Sequence, residues 1–284
     1  MNEFPKMIQI PLDKWIDRFV DWLTVAAGPF LDSVSTILLA PLVRLERFLL
    51  WLPWFLVIVA VALVAWRVVG WRLAAGSVAG LMFIGMMGLW THAMKTLTLV
   101  IAGTVLAIIV AIPVGIAMSR SDRLERIMRP VLDMMQTMPS FVYLVPALMF
   151  FGMGKVPAVL STFIYAVPPA IRLTNLGIRQ VSPDVIEAAR AFGSSPRQLL
   201  LKVQLPLAMP TIMAGVNQTV MMALAMVVVA SMVGAGGLGT EVLNGIARLE
   251  TGRGFNGGIS IVIMAIIIDR LTQSFTKTRP GMEA

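Results

Sequence analysis

Long apolar runs broken by short charged connections set the pattern of this chain. About 20 apolar residues cross the hydrocarbon core of a bilayer, and the runs predict seven such helices. They are residues 48–66 (regular from Pro53), 73–91, 96–119, 134–154, 156–178, much of 203–240, and 258–275. The fifth run contains Pro168 and Pro169, with Arg172 near one end, and the last has Asp269 and Arg270 near its end. Ahead of the spans lie two amphipathic segments. In the first, Trp15, Ile16, Phe19, Trp22 and Leu23 recur at helical spacing opposite Asp13, Lys14, Asp17, Arg18 and Asp21. In the second, after Pro29, residues Phe30, Val34, Ile37, Leu38, Leu42, Leu45 and Leu49 share one side. Such helices lie in the plane of a membrane interface; cytosolic helices packed on a partner fit the same pattern. The acids among residues 12–23 argue against a signal peptide, whose short core is apolar.

One polar island interrupts the apolar text between the fifth and sixth spans. EAARAFGSSPRQLLLKVQLP, residues 187–206, reads as two short helices. Ser182 is placed to cap the first, with Pro183 in its first turn and Asp184 favourable to the helix dipole. Gly193 suits a left-handed C-terminal cap, Ser195-Pro196 restarts the chain, and Pro206 closes the unit. Taken alone, the island is also what an ordinary solvated loop would look like.

Composition agrees with the span pattern: 58% of the 284 residues are hydrophobic and 13% charged, against about 25% charged in soluble domains. Without cysteine, neither a disulfide framework nor a thiolate metal site is available. The net charge of +8 is spread between apolar runs, the topogenic pattern of membrane proteins rather than a nucleic-acid surface. If the island is cytoplasmic, the inside segments hold fourteen basic residues, among them Arg120, Arg123, Arg126, Arg129, Arg179, Arg190, Arg197 and Lys202. The outside loops between spans hold only Lys95, Lys155, Arg248 and Arg253, so the positive-inside rule favours this orientation. An odd number of spans then puts the amino terminus outside and the carboxyl terminus in the cytoplasm. The expectation is an all-α polytopic protein of a prokaryotic cell membrane.

No G-x-x-x-x-G-K-[ST] phosphate loop occurs, since Gly152-Met153-Gly154-Lys155 lacks both the upstream glycine and the following hydroxyl residue. His92 has no clustered ligands, so no metal site is expected, and no Ser, His and Asp arrangement suggests covalent catalysis. Any energy source must therefore be another chain.

The island carries a family resemblance. Glu187-Ala188-Ala189, Gly193 and Leu205-Pro206 stand in the register of the E-A-A, G, I-x-L-P signature of ABC-importer permeases, with Val203 in place of the isoleucine. The segments 133–139, 168–172, 202–207 and 232–239 resemble those of glycine betaine/proline betaine permeases, and the likeness covers essentially the whole chain. It implies a five-helix type I importer core over 94–276, preceded by two additional spans over 51–93 and N-terminal scaffold helices over 1–50. A cytoplasmic coupling loop over 183–206 and a tail over 277–284 complete this division. It further implies a homodimer with two ATPase subunits, which carry the ATP and magnesium, and a separate substrate-binding protein that carries the high-affinity aromatic cage. Glu187, Ala188, Ala189, Arg190, Gly193, Leu205 and Pro206 are then the expected ATPase-coupling residues. Glycine betaine is the expected solute; choline, carnitine, proline betaine and an amino acid belong to the same class.

Polar groups inside spans are expensive and often mark a pathway. Gln136, Thr137, Asn217 and Gln218 are candidates on this ground, although helix–helix hydrogen bonding accounts for them equally well. Tyr143, with Phe141, Phe163 and Tyr165, offers aromatic faces suited to a quaternary ammonium ion, and equally to packing. The run containing Gly234, Gly236, Gly237 and Gly239 allows sharp turns, and is expected to shape an external gate or the docking surface for the binding protein. Gly76 with Gly80, and Ala107 with Ala111 and Gly115, form small-residue stripes for close helix contact. An ion-coupled secondary transporter is the rival reading. It calls for acids at mid-membrane, whereas Asp133 and Asp269 fall near predicted span ends.

Overall fold

The structure, a computed structural model, describes residues 12–274, and these fold into helices with no strand among them. The predicted tail 277–284 and the first eleven residues lie outside the described residues. Thirteen α-helices follow in order: α1 (Leu12–Ala26), α2 (Gly28–Trp51), α3 (Trp54–Val68), α4 (Trp71–Met86), α5 (Trp90–Arg120), α6 (Asp122–Thr137) and α7 (Ser140–Phe151). Then come α8 (Lys155–Arg179), α9 (Pro183–Ala191), α10 (Pro196–Gln198), α11 (Leu205–Ala230), α12 (Leu238–Ala247) and α13 (Thr251–Ser274).

Three helices make the centre. α8 packs along α5 on one side and α11 on the other, and Ala166, Val167, Ala170 and Ile171 are sealed between them. The approach depends on small residues. A Cβ at Gly103 would lie 2.6 Å from Thr162 Cγ2, one at Gly115 2.5 Å from Thr174 Cβ, and one at Gly215 2.9 Å from Leu173 Cβ. Ala107 and Ala111 are fully buried on the same face of α5. The predicted stripe 107, 111, 115 is therefore the α5–α8 seam. The other stripe divides: Gly80 meets Ile263 of α13, whereas Gly76 has open space around it.

Four helices have the length and apolarity to cross a membrane unaided: α5, α8, α13 and the 35-residue run Pro196–Ala230 that contains α11. α3 and α4 have only 15 and 16 residues, about 22–24 Å at 1.5 Å per residue, against a core of about 30 Å. Exposed Trp51, Trp54, Trp66 and Trp71 flank their ends, where aromatic rings anchor a short helix to the interface.

The continuous fourth span expected over 134–154 is not formed. The chain breaks between α6 and α7 with a bend of 97°. Pro139 causes it, because proline removes an amide donor and drives the preceding Met138 into the extended region at ψ 134. The Tyr143 hydroxyl donates to the Met135 carbonyl across the break.

α2 also departs from expectation. Its amphipathic pattern places it on the bilayer surface, yet Leu42 is buried among Leu99, Val100 and Val159 of the core helices. Glu46 pairs with Lys155 at 2.6 Å, which ties α2 to the start of α8. α1 and α2 meet at 75° and, taken together, are long and apolar enough for one broken span.

Candidate coupling loop and polar positions

α9 begins after Ser182, whose backbone is extended at ψ 131, with Pro183 in the first turn and Asp184 beside the helix N-terminus. The expected side-chain cap is not made: Ser182 forms no capping hydrogen bond. The other end of α9 is as the sequence implies. Gly193 N donates to Arg190 O at 2.9 Å and Ser194 N to Ala189 O at 3.1 Å, the paired bonds of a Schellman motif. Gly193 takes φ +81°, a region a side chain resists. Ser195 then starts a reciprocal capping box, with Gln198 N donating to Ser195 Oγ (3.3 Å) and Ser195 N to Gln198 Oε1 (2.9 Å).

The second helix of the unit does not stop at Pro206. Residues Leu199–Gln204 form a π-helical turn that leads directly into α11. Proline lacks the amide needed for an α-helical bond, and a π-turn absorbs that defect without ending the helix. Leu199 and Leu200 are buried, and Leu200 joins Ile178, Ala208 and Ile212 in an apolar cluster. The loop is thus continuous with a core helix and seated on the bundle through this cluster.

Glu187, Ala188, Arg190, Gly193 and Pro206 are exposed, as are Arg197 and Lys202; Ala189 and Leu205 are half-buried. Sequence reasoning overlooked Phe192, which stands at the tip of the unit with 91% of its surface exposed. Its signal was available: an aromatic residue directly before the turning glycine in a polar island.

A second set of residues below the core was also overlooked. Arg179 at the end of α8 pairs with Asp122 (2.7 Å) and Glu125 (3.1 Å) of α6 and donates to Met118 O of α5 (2.9 Å). Asn175 donates to Glu125 at 3.2 Å, and Arg172 pairs with Asp133. Glu125, Asp133, Arg172, Asn175 and Arg179 line a cavity of about 510 Å³ between α6 and α8. The acids sit 39 to 57 residues before their partners in the chain, so no local pattern marks them.

The structure separates the pathway candidates. Asn217 donates to Asp269 Oδ1 at 3.3 Å and accepts from the Thr272 hydroxyl, which clamps α11 to α13. Tyr143 is buried, with its ring 6.0 Å from that of Tyr165. Gln218 remains exposed on the otherwise apolar α11, and Gln136 and Thr137 are exposed at the end of the charged, amphipathic α6. Among the described residues no hydrogen bond joins Gln136 or Thr137 to Asn217 or Gln218.

The glycine run forms a packed turn. Gly234, Gly236 and Gly237 have positive φ. A Cβ at Gly237 would lie 2.6 Å from Thr96 Oγ1, and one at Gly239 2.1 Å from Ser231 Oγ. Leu238 N donates to Thr96 Oγ1 at 2.8 Å, fixing the turn against α5. Beyond it, Glu241 of α12 accepts from Arg253 of α13 at 2.7 and 3.2 Å and lies 3.3 Å from His92 Nε2. The Arg253 hydrogen bonds, with His92 and Arg248 nearby, hold the Glu241 carboxyl below its ordinary range against the opposing effect of burial.

Comparison with known proteins agrees with this architecture. Residues 103–277 match the family described as binding-protein-dependent transport system inner membrane component. The glycine betaine/proline betaine transport system permease protein ProW of Escherichia coli (strain K12) is 51% identical over 274 residues, covering 96% of this chain and 77% of that protein. The glycine betaine/carnitine transport permease protein GbuB of Listeria monocytogenes serotype 1/2a (strain 10403S) is 48% identical over 278 residues, covering 96% and 98%. Among solved structures, a chain of the MetNI methionine ABC transporter in an inward facing conformation superposes with a TM-score of 0.59 at 22% identity, covering 68% of this chain and 99% of that one. The fold, the family match over the core and the likeness of nearly the whole chain to such permeases agree: the chain belongs to the binding-protein-dependent transport system inner membrane components, the membrane subunits of ABC importers.

Proposed function

We propose that this chain forms the membrane pathway of an ATP-driven importer for glycine betaine or a related quaternary ammonium solute. It works as a homodimer with two ATPase subunits, which bind ATP and magnesium, and an extracytoplasmic binding protein. The observation that carries the reading is the coupling loop. Gly193 turns it, the Ser195 box rigidifies it, and it continues unbroken into α11 while presenting Glu187, Arg190 and Phe192 outward. ATP-driven closure of the motor pair pushes this unit, and α11 carries the movement to the far side of the membrane. The substrate assignment is supported by relatives named for glycine betaine at 48–51% identity. Carnitine, named with glycine betaine for one of them, is the second reading.

Two further features support the assembly. The amide N–H and C=O groups of Gln218 are exposed on the apolar helix α11, and such groups facing hydrocarbon are costly. A second copy of the chain covers them and leaves a polar-lined path between subunits. The dense basic charge around the loop supports its cytoplasmic placement, which also sets the amino terminus outside for seven crossings. The test is reconstitution of the complex with its ATPase and binding protein. Gly193→Val forces a β-branched residue to φ +81°, and the expected outcome is loss of most solute uptake while ATP hydrolysis persists or falls with it. Wild-type rates of both activities in this variant would reject the coupling role. Uptake that followed an ion gradient and ignored ATP would favour a secondary transporter.

A further inference from the structure

Among the described residues one helix-ending device recurs, with glycine in its left-handed position at Gly88 and Gly193 and with a different choice at a third place. At the coupling loop the left-handed position of the Schellman motif is Gly193. At the tip of the α12–α13 hairpin the same paired bonds recur, Leu249 N to Ile246 O (3.2 Å) and Glu250 N to Gly245 O (2.8 Å), yet the left-handed position holds a leucine at φ +57°. Leu249 is alone in this among the described non-glycine residues. A Cβ crowds its own backbone there, so glycine is the residue the turn by itself would favour. Leu249 gains nothing from packing in return: 89% of its surface is exposed, and the adjacent Ile246 is 65% exposed.

Lipid does not account for these side chains. The apolar part of α13 begins near residue 258, and in the preceding TGRGFNG Phe255 alone is large and apolar. At 1.5 Å per residue the tip stands about 13 Å beyond that level. Arg248, Glu250 and Arg253 surround it. The hairpin is also rigid. Gly245 and Gly254 bring the two backbones into contact, and Arg253 grips Glu241 across the pair. Another external connection, Gly152–Gly154, lies low against the end of α11, where Gly154 N donates to Val233 O at 2.9 Å. The hairpin therefore rises above its surroundings on the face opposite the coupling loop.

We infer that Leu249, with Ile246, is the apolar knob on which the extracytoplasmic binding protein docks, and that Arg248 beside it meets an acidic group on that protein. This inference rests on the importer reading above. A strained, rigid, water-exposed leucine on the external side suits a partner that arrives from the aqueous phase, and a binding-protein-dependent system supplies one such partner.

The experiment uses the complete transporter in lipid nanodiscs, titrated with its purified binding protein loaded with glycine betaine, with stimulated ATP hydrolysis as the readout. Leu249→Asp is expected to raise the half-saturating concentration of binding protein by about tenfold, a hot-spot-sized effect, while Leu249→Met stays within about twofold of wild type. A Leu249→Asp titration within about twofold of wild type overturns the inference. Because the chain has no cysteine, Leu249→Cys accepts a single environment-sensitive fluorophore. A blue shift on adding binding protein supports docking, and a blue shift on moving from detergent to nanodisc without binding protein shows lipid contact and overturns it. Failure of the importer reading itself is distinguishable, since the wild-type complex would then show no binding-protein-stimulated hydrolysis at all.

Discussion

Phe192 shows how a single side chain can stand outside its motif. The E-A-A and glycine positions shape the loop, but the exposed aromatic ring is what a partner can bury. Burying such a ring contributes roughly 1.5–3 kcal/mol, so Phe192→Ala is expected to weaken ATPase-subunit association about tenfold or more. Co-purification yield or the salt concentration that dissociates the complex would measure it, and full retention under both would remove Phe192 from the interface. Nothing in the folded chain packs on this ring, so the isolated permease should keep its thermal stability in the variant.

The break between α6 and α7 shows how an element departs from its hydropathy. Residues 134–154 carry no charge, but Pro139 divides them, and α6 is held at the base of the bundle by charge pairs. Arg179 bridges α5, α6 and α8 through three contacts while itself half-buried. Arg129 makes an exposed i,i+4 pair with Glu125. Truncating the first removes all three contacts at once: Asp122 and the Met118 carbonyl lose this donor, and Glu125, whose side chain is only 19% exposed, keeps Arg129 and Asn175 alone. Arg179→Ala is therefore expected to lower thermal stability by several degrees, on the order of 1–3 kcal/mol, and Arg129→Ala by less than about 1 kcal/mol. Equal melting temperatures for the two variants would show that the strap carries no load.

Across the whole molecule, the coupling loop and the α12–α13 hairpin occupy opposite ends of the same bundle, and both are stiff. The hairpin clasp carries a pH signature. Glu241 titrates below its ordinary 4.5 because Arg253 stabilises its charged form. The clasp is then intact above about pH 4.5 and its contribution is lost as the pH falls through the depressed value. Protection factors across 238–257, each taken relative to the intrinsic exchange rate at the same pH, should be high at pH 7 and fall in acid, and Glu241→Gln should show the lower protection already at neutral pH. Identical protection in wild type and variant would mean that the close glycine contacts alone hold the hairpin.

The helical class, the small-residue seam at Ala107, Ala111 and Gly115, and the turn at Gly193 were legible in the chain because each rests on a local rule: apolar run length, residue volume, or a dihedral that only glycine adopts cheaply. The loop's register identified the family for the same reason, since its chemistry is contiguous. What the tertiary structure decided was pairing. Whether Asn217 faces a path or Asp269, whether α2 floats on the bilayer or seats Leu42 in the core, and which acids answer Arg179 all depend on contacts distant in sequence. Periodicity along one helix says that a residue has a partner-facing side, but not which helix stands opposite. The strain at Leu249 was equally invisible, because a leucine among helix-forming residues gives no sign that folding will place it where glycine belongs.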